Sequence, residues 1–285
     1  MTTYRECIKT AQKAMREANL SEQSAMLLML ELANMQAHDL YMEYETDMPA
    51  DLYEAYQQGF KRLVTGEPLQ HILGYEWFYG YKFKVNEDVL IPRPETEELV
   101  ANILAGYDEY FSDKENVVCC DIGTGSGAIA ITLKKEEPKL NVIASDISEK
   151  AIDVAIENSK ANNVPAVFCV GDMVEPLIER KLKVDIFVSN PPYIPNEEEL
   201  EHSVKDFEPH VALFGGNDGL KFYRILFERA KLILNEKSMM AFEIGYNQKE
   251  ALMALAGEYY PKARIEVLKD MNGKNRMLFI YNNCD

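Results

Sequence analysis

Short strands alternate with helices along residues 117–245, and this alternation limits the possible folds more than any other feature of the sequence. Helices are predicted from Gly127, from Ser148 and over residues 220–234. The strands between them are the apolar runs VVCCDIG, NVIASD, AVFCVGD, VDIFVSN and SMMAFEIG. Further on, RIEVLKD and RMLFIYN flank Asn272-Gly273 and predict an antiparallel hairpin that closes one edge. Because strands connected by helices form a parallel sheet covered on both faces, we predict an α/β fold.

Residues 1–75 follow a different pattern, with apolar residues three and four positions apart. Helices are predicted over residues 4–18, 21–35, 37–44 and 51–64, with Ser21 as a candidate N-cap. Aromatic and polar residues then alternate around Gly80, which favours a β-hairpin. We therefore expect a small helical domain at residues 1–75, a hairpin connector at 76–92 and an α/β domain at 93–285.

The 285-residue chain has a formal net charge of −17 and five cysteines. Residues 1–75 alone hold six Lys and Arg against eleven Asp and Glu, so direct binding to a nucleic-acid backbone is disfavoured. The cysteines form no CxxC pair, and the start of the sequence has no signal-peptide core. No run approaches the roughly 18 to 20 apolar residues of a membrane span. We expect a cytoplasmic protein that does not enter a membrane.

Three glycines follow the first strand of the α/β region, in the run CDIGTGSGAIAI. Gly123, Gly125 and Gly127 allow a tight turn and a close approach of the backbone to a ligand. Asp146 ends the next strand, 23 positions after Gly123, where a carboxylate accepts hydrogen bonds from ribose hydroxyls. The spacing DxGxGxG, which includes Asp121, favours a cationic ligand without phosphate, such as S-adenosylmethionine, over a dinucleotide.

Two other strand ends carry residues suited to a nucleoside and to an acceptor-rich turn. Asp172 and Met173 follow the third strand, where the carboxylate would lie near an adenine amino group and the thioether against its face. The fourth strand ends in FVSNPPYI. Its two prolines remove backbone N–H donors and stiffen the turn, so the carbonyls remain available as acceptors.

Taken together, DIGTGSG, Asp146 and NPPY resemble class I S-adenosylmethionine-dependent methyltransferases that modify planar nitrogens. With IPRPETEEL, the leading helices and FEPHVALFGGNDGLKFYR, nearly the whole chain resembles the HemK/PrmC family of protein-glutamine methyltransferases, which act on the GGQ motif of peptide-chain release factors. The resemblance implies a Rossmann-like fold with a seven-stranded sheet, S-adenosylmethionine as cofactor with S-adenosylhomocysteine as product, and release factors as partners. It implies a cofactor site made of Asp121, Ile122, Gly123, Thr124, Gly125, Gly127, Asp146, Ile147, Asp172, Met173 and Asn190.

The NPPY residues are predicted to be both catalytic and substrate-binding. An amide nitrogen is a weak nucleophile because its lone pair is delocalised. We expect Asn190 Oδ1 and the Pro191 carbonyl each to accept one N–H of the substrate amide, which orients the nitrogen and stabilises its developing positive charge. Pro192 keeps this turn rigid, and the Tyr193 ring is expected to pack against the flat amide.

Other segments of the resemblance supply further candidates. Arg93, on a corner held by two prolines, and Glu95 are predicted to contact the substrate, with Thr96 beside them. A helix is predicted to begin at Thr96. The loop Phe207-Glu208-Pro209 is expected near the glutamine. The residues Glu243 and Gly245, at the end of the fifth strand, are explained equally well by a structural role.

The motifs leave alternatives open. NPPY also occurs in DNA and RNA methyltransferases that act on amino groups of adenine or guanine. A DNA methyltransferase would have to extrude its target base and hold the duplex, and the acidic composition of this chain suits such binding poorly. An S-adenosylmethionine-binding module without activity and an NAD-dependent oxidoreductase are further alternatives. The four histidines are scattered, and no group of residues has the spacing of metal ligands, so no metal is expected.

Overall fold

The computed structural model describes residues 2–199 and 202–284. These residues form two compact units, one made of residues 2–75 and 202–207 and the other of residues 76–199 and 208–284. None of the helices in the described part of the chain combines the length and apolar character that crossing a lipid bilayer requires.

The first unit is helical. Its helices are α1 (Tyr4–Glu17), α2 (Glu22–Ala33), α3 (Ala37–Met42), α4 (Ala50–Leu63) and α5 (Leu69–Leu73). Thr3 begins α1 with a capping box, in which its side chain accepts from the Glu6 N–H and the Glu6 carboxylate accepts from the Thr3 N–H. Ile8, Leu28 and Tyr56 are fully buried in the core, and the Tyr56 hydroxyl donates to the Ala25 carbonyl at 3.0 Å.

The four helices predicted in this unit are confirmed to within two residues at each end. Ser21 occupies the predicted N-cap position of α2, although its side chain makes no capping hydrogen bond. Helix α5 was not predicted, because five residues between Pro68 and Gly74 are too few to show a helical period.

The second unit starts with a β-hairpin, β1 (Tyr75–Phe78) and β2 (Tyr81–Lys84), whose first residue belongs to the helical unit. Its remaining elements, with one short helix of the other unit, are α6 (Pro94–Tyr110), β3 (Val118–Ile122), α7 (Ala128–Glu136), β4 (Asn141–Asp146), α8 (Glu149–Ala161), β5 (Val167–Val170), α9 (Glu175–Glu179), β6 (Val184–Ser189), α10 (His202–Lys205), a 3₁₀ turn (His210–Ala212), α11 (Lys221–Ala230), β7 (Leu234–Glu243), α12 (Lys249–Tyr259), β8 (Arg264–Lys269) and β9 (Asn275–Asn282). Helix α10 lies in the helical unit.

The main sheet has seven strands in the order β5-β4-β3-β6-β7-β9-β8. Strands β3 to β7 are parallel, and β9 is antiparallel to both of its neighbours. Every residue of β6 is buried, as expected for a central strand with both faces covered. One face packs around Ile103, Ile131 and Phe279, and the other around Phe187 and Phe227. The predicted α/β fold with a seven-stranded sheet is therefore confirmed.

Two predicted helix boundaries need correction, and helices α9 and α12 were not predicted. Helix α6 begins at Pro94 rather than at Thr96, because proline is well suited to the first helical position. Helix α11 ends at Ala230 rather than at residue 234, and Leu234 already pairs with Val184 in the sheet.

Candidate active site

The predicted functional residues meet at the carboxyl ends of adjacent parallel strands. Asp121 pairs with Val188 of β6 on one side and with Ala144 of β4 on the other. Asp146 ends β4, Asn190 follows β6 and Glu243 ends β7. In open α/β sheets, ligands bind at this end of the strands. All of these residues belong to the second unit.

The glycine loop leaves space above the sheet. Gly123, Gly125 and Gly127 have φ values of +74°, +55° and +80°, which only glycine adopts easily. A Cβ on Gly123 or Gly125 would meet no atom within 4 Å, whereas one on Gly127 would lie 2.9 Å from Ile131 Cδ1. The first two glycines therefore border open space, and the third allows α7 and α8 to pack closely.

Asp121 is a buried carboxylate with unused hydrogen-bonding capacity. Its Oδ2 accepts from the Thr124 hydroxyl at 2.6 Å, while its Oδ1 has no hydrogen-bond partner in the described structure. The pKa of Asp121 is raised to about 7; burial is the main cause, the nearby Asp146 carboxylate contributes, and the hydrogen bond from Thr124 opposes the rise. A buried, unpartnered carboxylate oxygen is suited to receive a cationic group.

Asp146 links the glycine loop to the start of α8. Its Oδ2 accepts from the Gly125 N–H at 2.9 Å, and its Oδ1 accepts from the Ser148 N–H at 3.0 Å. Each carboxylate oxygen retains acceptor capacity, which suits two vicinal hydroxyls. The next residue, Ile147, is an apolar side chain with 61% of its surface exposed.

The end of β5 is held close to the end of β4. The Gly171 N–H donates to the Asp146 carbonyl at 2.9 Å, and the Ser145 hydroxyl donates to the Met173 carbonyl at 2.9 Å. Met173 has φ of +49°, an uncommon value for a residue with a side chain. Asp172, beside it, is exposed.

The NPPY turn is partly buried and anchored from both sides. The Ser189 hydroxyl donates to the Ile122 carbonyl at 2.6 Å, which fixes the end of β6 beside β3. Asn190 is half-buried and Pro191 is buried, and both follow directly from the central strand. The turn thus lies next to the glycine loop.

A buried carboxylate, Glu243, orients the tyrosine of this turn. Its Oε1 accepts from the Tyr193 hydroxyl at 3.3 Å, and its Oε2 accepts from the Thr96 hydroxyl at 2.6 Å. Burial raises the pKa of Glu243, while Thr96 and the Arg276 guanidinium oppose the rise. Burial and the Glu243 carboxylate also raise the pKa of Tyr193, so its phenol stays protonated. The Tyr223 hydroxyl donates to the Glu243 carbonyl at 2.6 Å.

Arg93 has an intramolecular partner. Its guanidinium pairs with Glu208 Oε1 at 2.5 Å, and Glu208 Oε2 accepts from the Ile91 N–H at 3.2 Å. Only 1% of the Glu208 side-chain surface is exposed, against 34% for Arg93. Glu208 thus holds the proline-flanked corner in place. The predicted neighbour Glu95 is half-buried on α6.

Sequence reasoning missed three residues of this region, namely Tyr223, Gln248 and Arg276. Each acts through contacts with residues distant in the chain. Tyr223 lies in the segment FEPHVALFGGNDGLKFYR, but the local sequence of none of the three residues indicates these contacts. Within residues 2–199 and 202–284, no group of three or more His, Cys, Asp or Glu side chains is arranged to hold a metal ion.

The sheet order, the glycine loop and the NPPY turn define a class I methyltransferase. Residues 107–207 match the family model described as methyltransferase small domain, and residues 6–74 match the PrmC N-terminal domain. The fold is similar to that of a methyltransferase from Pyrococcus furiosus, with a TM-score of 0.52 at 17% identity, covering 80% of this chain and 98% of that one.

Relatives of known family cover almost the whole chain. The release factor glutamine methyltransferase of Bacillus anthracis is 41% identical over 276 residues, covering 96% of this chain and 97% of the relative. The protein of the same name from Bacillus subtilis is 41% identical over 280 residues, covering 98% and 97%. The chain belongs to the family of release factor glutamine methyltransferases.

Proposed function

We propose that this enzyme transfers the methyl group of S-adenosylmethionine to N5, the side-chain amide nitrogen, of the glutamine in the GGQ motif of peptide-chain release factors. The observation that carries the proposal is the position of Asn190 and Pro191, at the end of β6 and directly beside the glycine loop on β3. An acceptor pair for an amide and a site for a nucleoside are thereby adjacent.

The residues around the glycine loop fit S-adenosylmethionine. Gly123 and Gly125 border open space, and the buried Asp121 Oδ1 is unpartnered, as required for a ligand that carries an ammonium group. Asp146 has acceptor capacity for the ribose hydroxyls, and Ile147, Asp172 and Met173 offer apolar and acceptor groups for adenine. Ile122 and Thr124 belong to the same proposed cofactor site. When bound, the cofactor supplies a methyl group on a positively charged sulfur.

The proposed role of the NPPY turn is to orient and stabilise the substrate amide. Asn190 Oδ1 and the Pro191 carbonyl each accept one N–H, so the nitrogen points toward the methyl group. These acceptors also stabilise the positive charge that develops on the nitrogen as its new bond to carbon forms. The methylated nitrogen is acidic and releases one proton to water, so no strong general base is required.

Pro192 and Tyr193 keep this arrangement fixed. Pro192 limits the backbone freedom of the turn. Tyr193, directed by its hydrogen bond to Glu243, provides a flat ring against which the amide plane packs. Glu95 and Arg93 are proposed to lie on the substrate side of the site. The ion pair with Glu208 holds Arg93 in this position.

The release factor is the proposed partner, with residues 1–75 recognising it and residues 93–285 carrying out methyl transfer. Residues 76–92 connect the two functions. Because the relatives are named for a factor of translation, we propose a cytoplasmic location. The net charge of −17 favours a protein substrate over DNA or RNA.

The test is transfer of label from S-[methyl-³H]adenosylmethionine to three acceptors: purified release factor, the same factor with its GGQ glutamine changed to alanine, and duplex DNA. We expect label on the intact factor alone. Label on DNA would show that the nitrogen chemistry is right and the substrate wrong. Equal label on both factors would place the modified residue outside the GGQ motif.

A further inference from the structure

Gln248 links the NPPY turn to two neighbouring backbone segments. Its Oε1 accepts from the Gly245 N–H at 2.9 Å, after the end of β7. Its Nε2 donates to the Tyr193 carbonyl at 3.0 Å and to the Gly219 carbonyl at 3.3 Å. Gln248 is only 7% exposed, so these bonds lie away from solvent.

The chemistry of this contact requires a carboxamide. One acceptor and two donors are used, and glutamine provides all of them on one planar group. Glutamate at this position would keep the acceptor but place a second oxygen against the carbonyls of Tyr193 and Gly219. Asparagine has the same groups on a side chain shorter by one methylene.

Two glycines let the neighbouring segment approach the turn closely. A Cβ on Gly219 would lie 2.3 Å from the Tyr193 carbonyl oxygen and 2.6 Å from Gln248 Nε2. A Cβ on Gly215 would lie 2.5 Å from the Pro192 carbonyl oxygen. Side chains at either position would push the NPPY backbone away.

Main-chain hydrogen bonds continue this packing beyond Tyr193. The Ile194 N–H donates to the Leu213 carbonyl at 3.1 Å, and the Gly215 N–H donates to the Ile194 carbonyl at 2.8 Å. Pro191 and Pro192 have no N–H to contribute. The prolines of the turn cannot donate backbone hydrogen bonds, and Gln248 instead holds the turn by donating to the Tyr193 carbonyl.

We infer that Gln248 is a positioning residue for methyl transfer, which holds the Tyr193 backbone and thereby sets the direction of the Asn190 and Pro191 acceptors. This inference rests on the proposed function, because Asn190 and Pro191 act as acceptors for the substrate amide only in the proposed methyl transfer. A displacement of about 1 Å at such a site costs about 100-fold in rate.

The kinetic test compares Gln248→Glu with the wild type, using release factor and S-adenosylmethionine. We expect kcat to fall about 10- to 100-fold, with KM for the factor and Kd for the cofactor within about threefold of wild type. A variant that loses cofactor binding and turnover in proportion would show that Gln248 only maintains the fold.

A second perturbation disturbs the same Tyr193 carbonyl. Gly219→Ala introduces the clash with the Tyr193 oxygen. Its matched control is Gly273→Ala, because Gly273 has φ of +76°, close to the +71° of Gly219, but a Cβ there would meet no atom within 4 Å. We expect kcat to fall for Gly219→Ala and to stay at the wild-type value for Gly273→Ala. The double variant Gln248→Glu/Gly219→Ala should lose less than the product of the single losses. Equal activity of the two alanine variants would overturn the inference.

An assay without turnover separates this inference from the proposed function. In hydrogen–deuterium exchange, we expect the Ile194 and Asn196 amides to exchange faster in Gln248→Glu than in wild type. Their hydrogen bonds to residues 213–216 form only while Gln248 keeps the Tyr193 backbone in place. Unchanged exchange would contradict the positioning role. If wild-type enzyme fails to label the factor, the proposed function is wrong, while the exchange result still decides whether Gln248 holds the Tyr193 backbone.

Discussion

The buried carboxyl of Asp121 predicts how the stability of the sheet unit depends on pH. Burial raises its pKa from 3.8 to about 7. The unfolded chain ionises above pH 4, whereas the folded protein retains the proton until about pH 7. The folded state therefore binds more protons across this window, and stability is lost as the pH rises through it. The full loss is about 4 kcal/mol, and about 1.4 kcal/mol of it falls between pH 6 and pH 8.

The perturbation that isolates this contribution is Asp121→Asn, which keeps the size of the side chain and removes the titration. Calorimetric Tm values would be measured for both proteins at pH 6 and pH 8. Wild type should lose about 3 to 6 °C more than the variant between the two values, as expected for about 1.4 kcal/mol in a unit of this size. Glu243 and other groups titrate in both proteins and cancel in the comparison. An identical pH dependence of the two Tm values would refute the reasoning.

Two substitutions separate turnover from cofactor binding. Asn190→Ala should leave the Kd for S-adenosylmethionine near the wild-type value and lower kcat about 100- to 1,000-fold, because the lost contact acts mainly in the transition state. Calorimetry and single-turnover kinetics on the folded variant check this. A parallel loss of cofactor binding and turnover would contradict the assignment. Asp146→Ala should weaken cofactor binding about 10- to 100-fold, since it removes hydrogen bonds to a charged acceptor. The exposed Asp153→Ala on α8 is the matched control, and an unchanged Kd for Asp146→Ala would show the ribose assignment to be wrong.

The fold was predictable because its elements carry local signals. Strand β4 was predicted with both ends correct, since NVIASD is a compact apolar run with an aspartate at its end. The error at the end of α11 has a local cause as well. Leu232, Ile233 and Leu234 continue the apolar pattern of the helix, although the chain turns after Ala230 and enters β7. Periodicity alone does not separate a helix end from the strand that follows it.

The site was only partly predictable, because its supporting contacts join distant parts of the chain. Gly123, Asp146 and Asn190 belong to short motifs with a fixed chemistry, and their adjacency follows from parallel strands. The ion pair between Arg93 and Glu208 spans 115 positions, and the bond between Thr96 and Glu243 spans 147. Nothing in the local sequence of Gln248 indicates that it reaches Tyr193, since that contact exists only once β6 and β7 lie side by side.

The buried cysteines give each unit an internal probe of its own opening. Cys7 lies in the helical unit, while Cys119, Cys120, Cys169 and Cys284 lie in the sheet unit, and all five are free and buried. Burial raises the pKa of Cys7, Cys119 and Cys120. In the native protein these three thiols therefore react slowly, because they are inaccessible to the reagent and because little of the reactive thiolate is present. An alkylating reagent reaches them when the surrounding core opens, and the rates at Cys7 and Cys119 then report separately on each unit. The opening of each unit is thus measurable with the cysteines that the chain already contains, without introducing a probe by mutation.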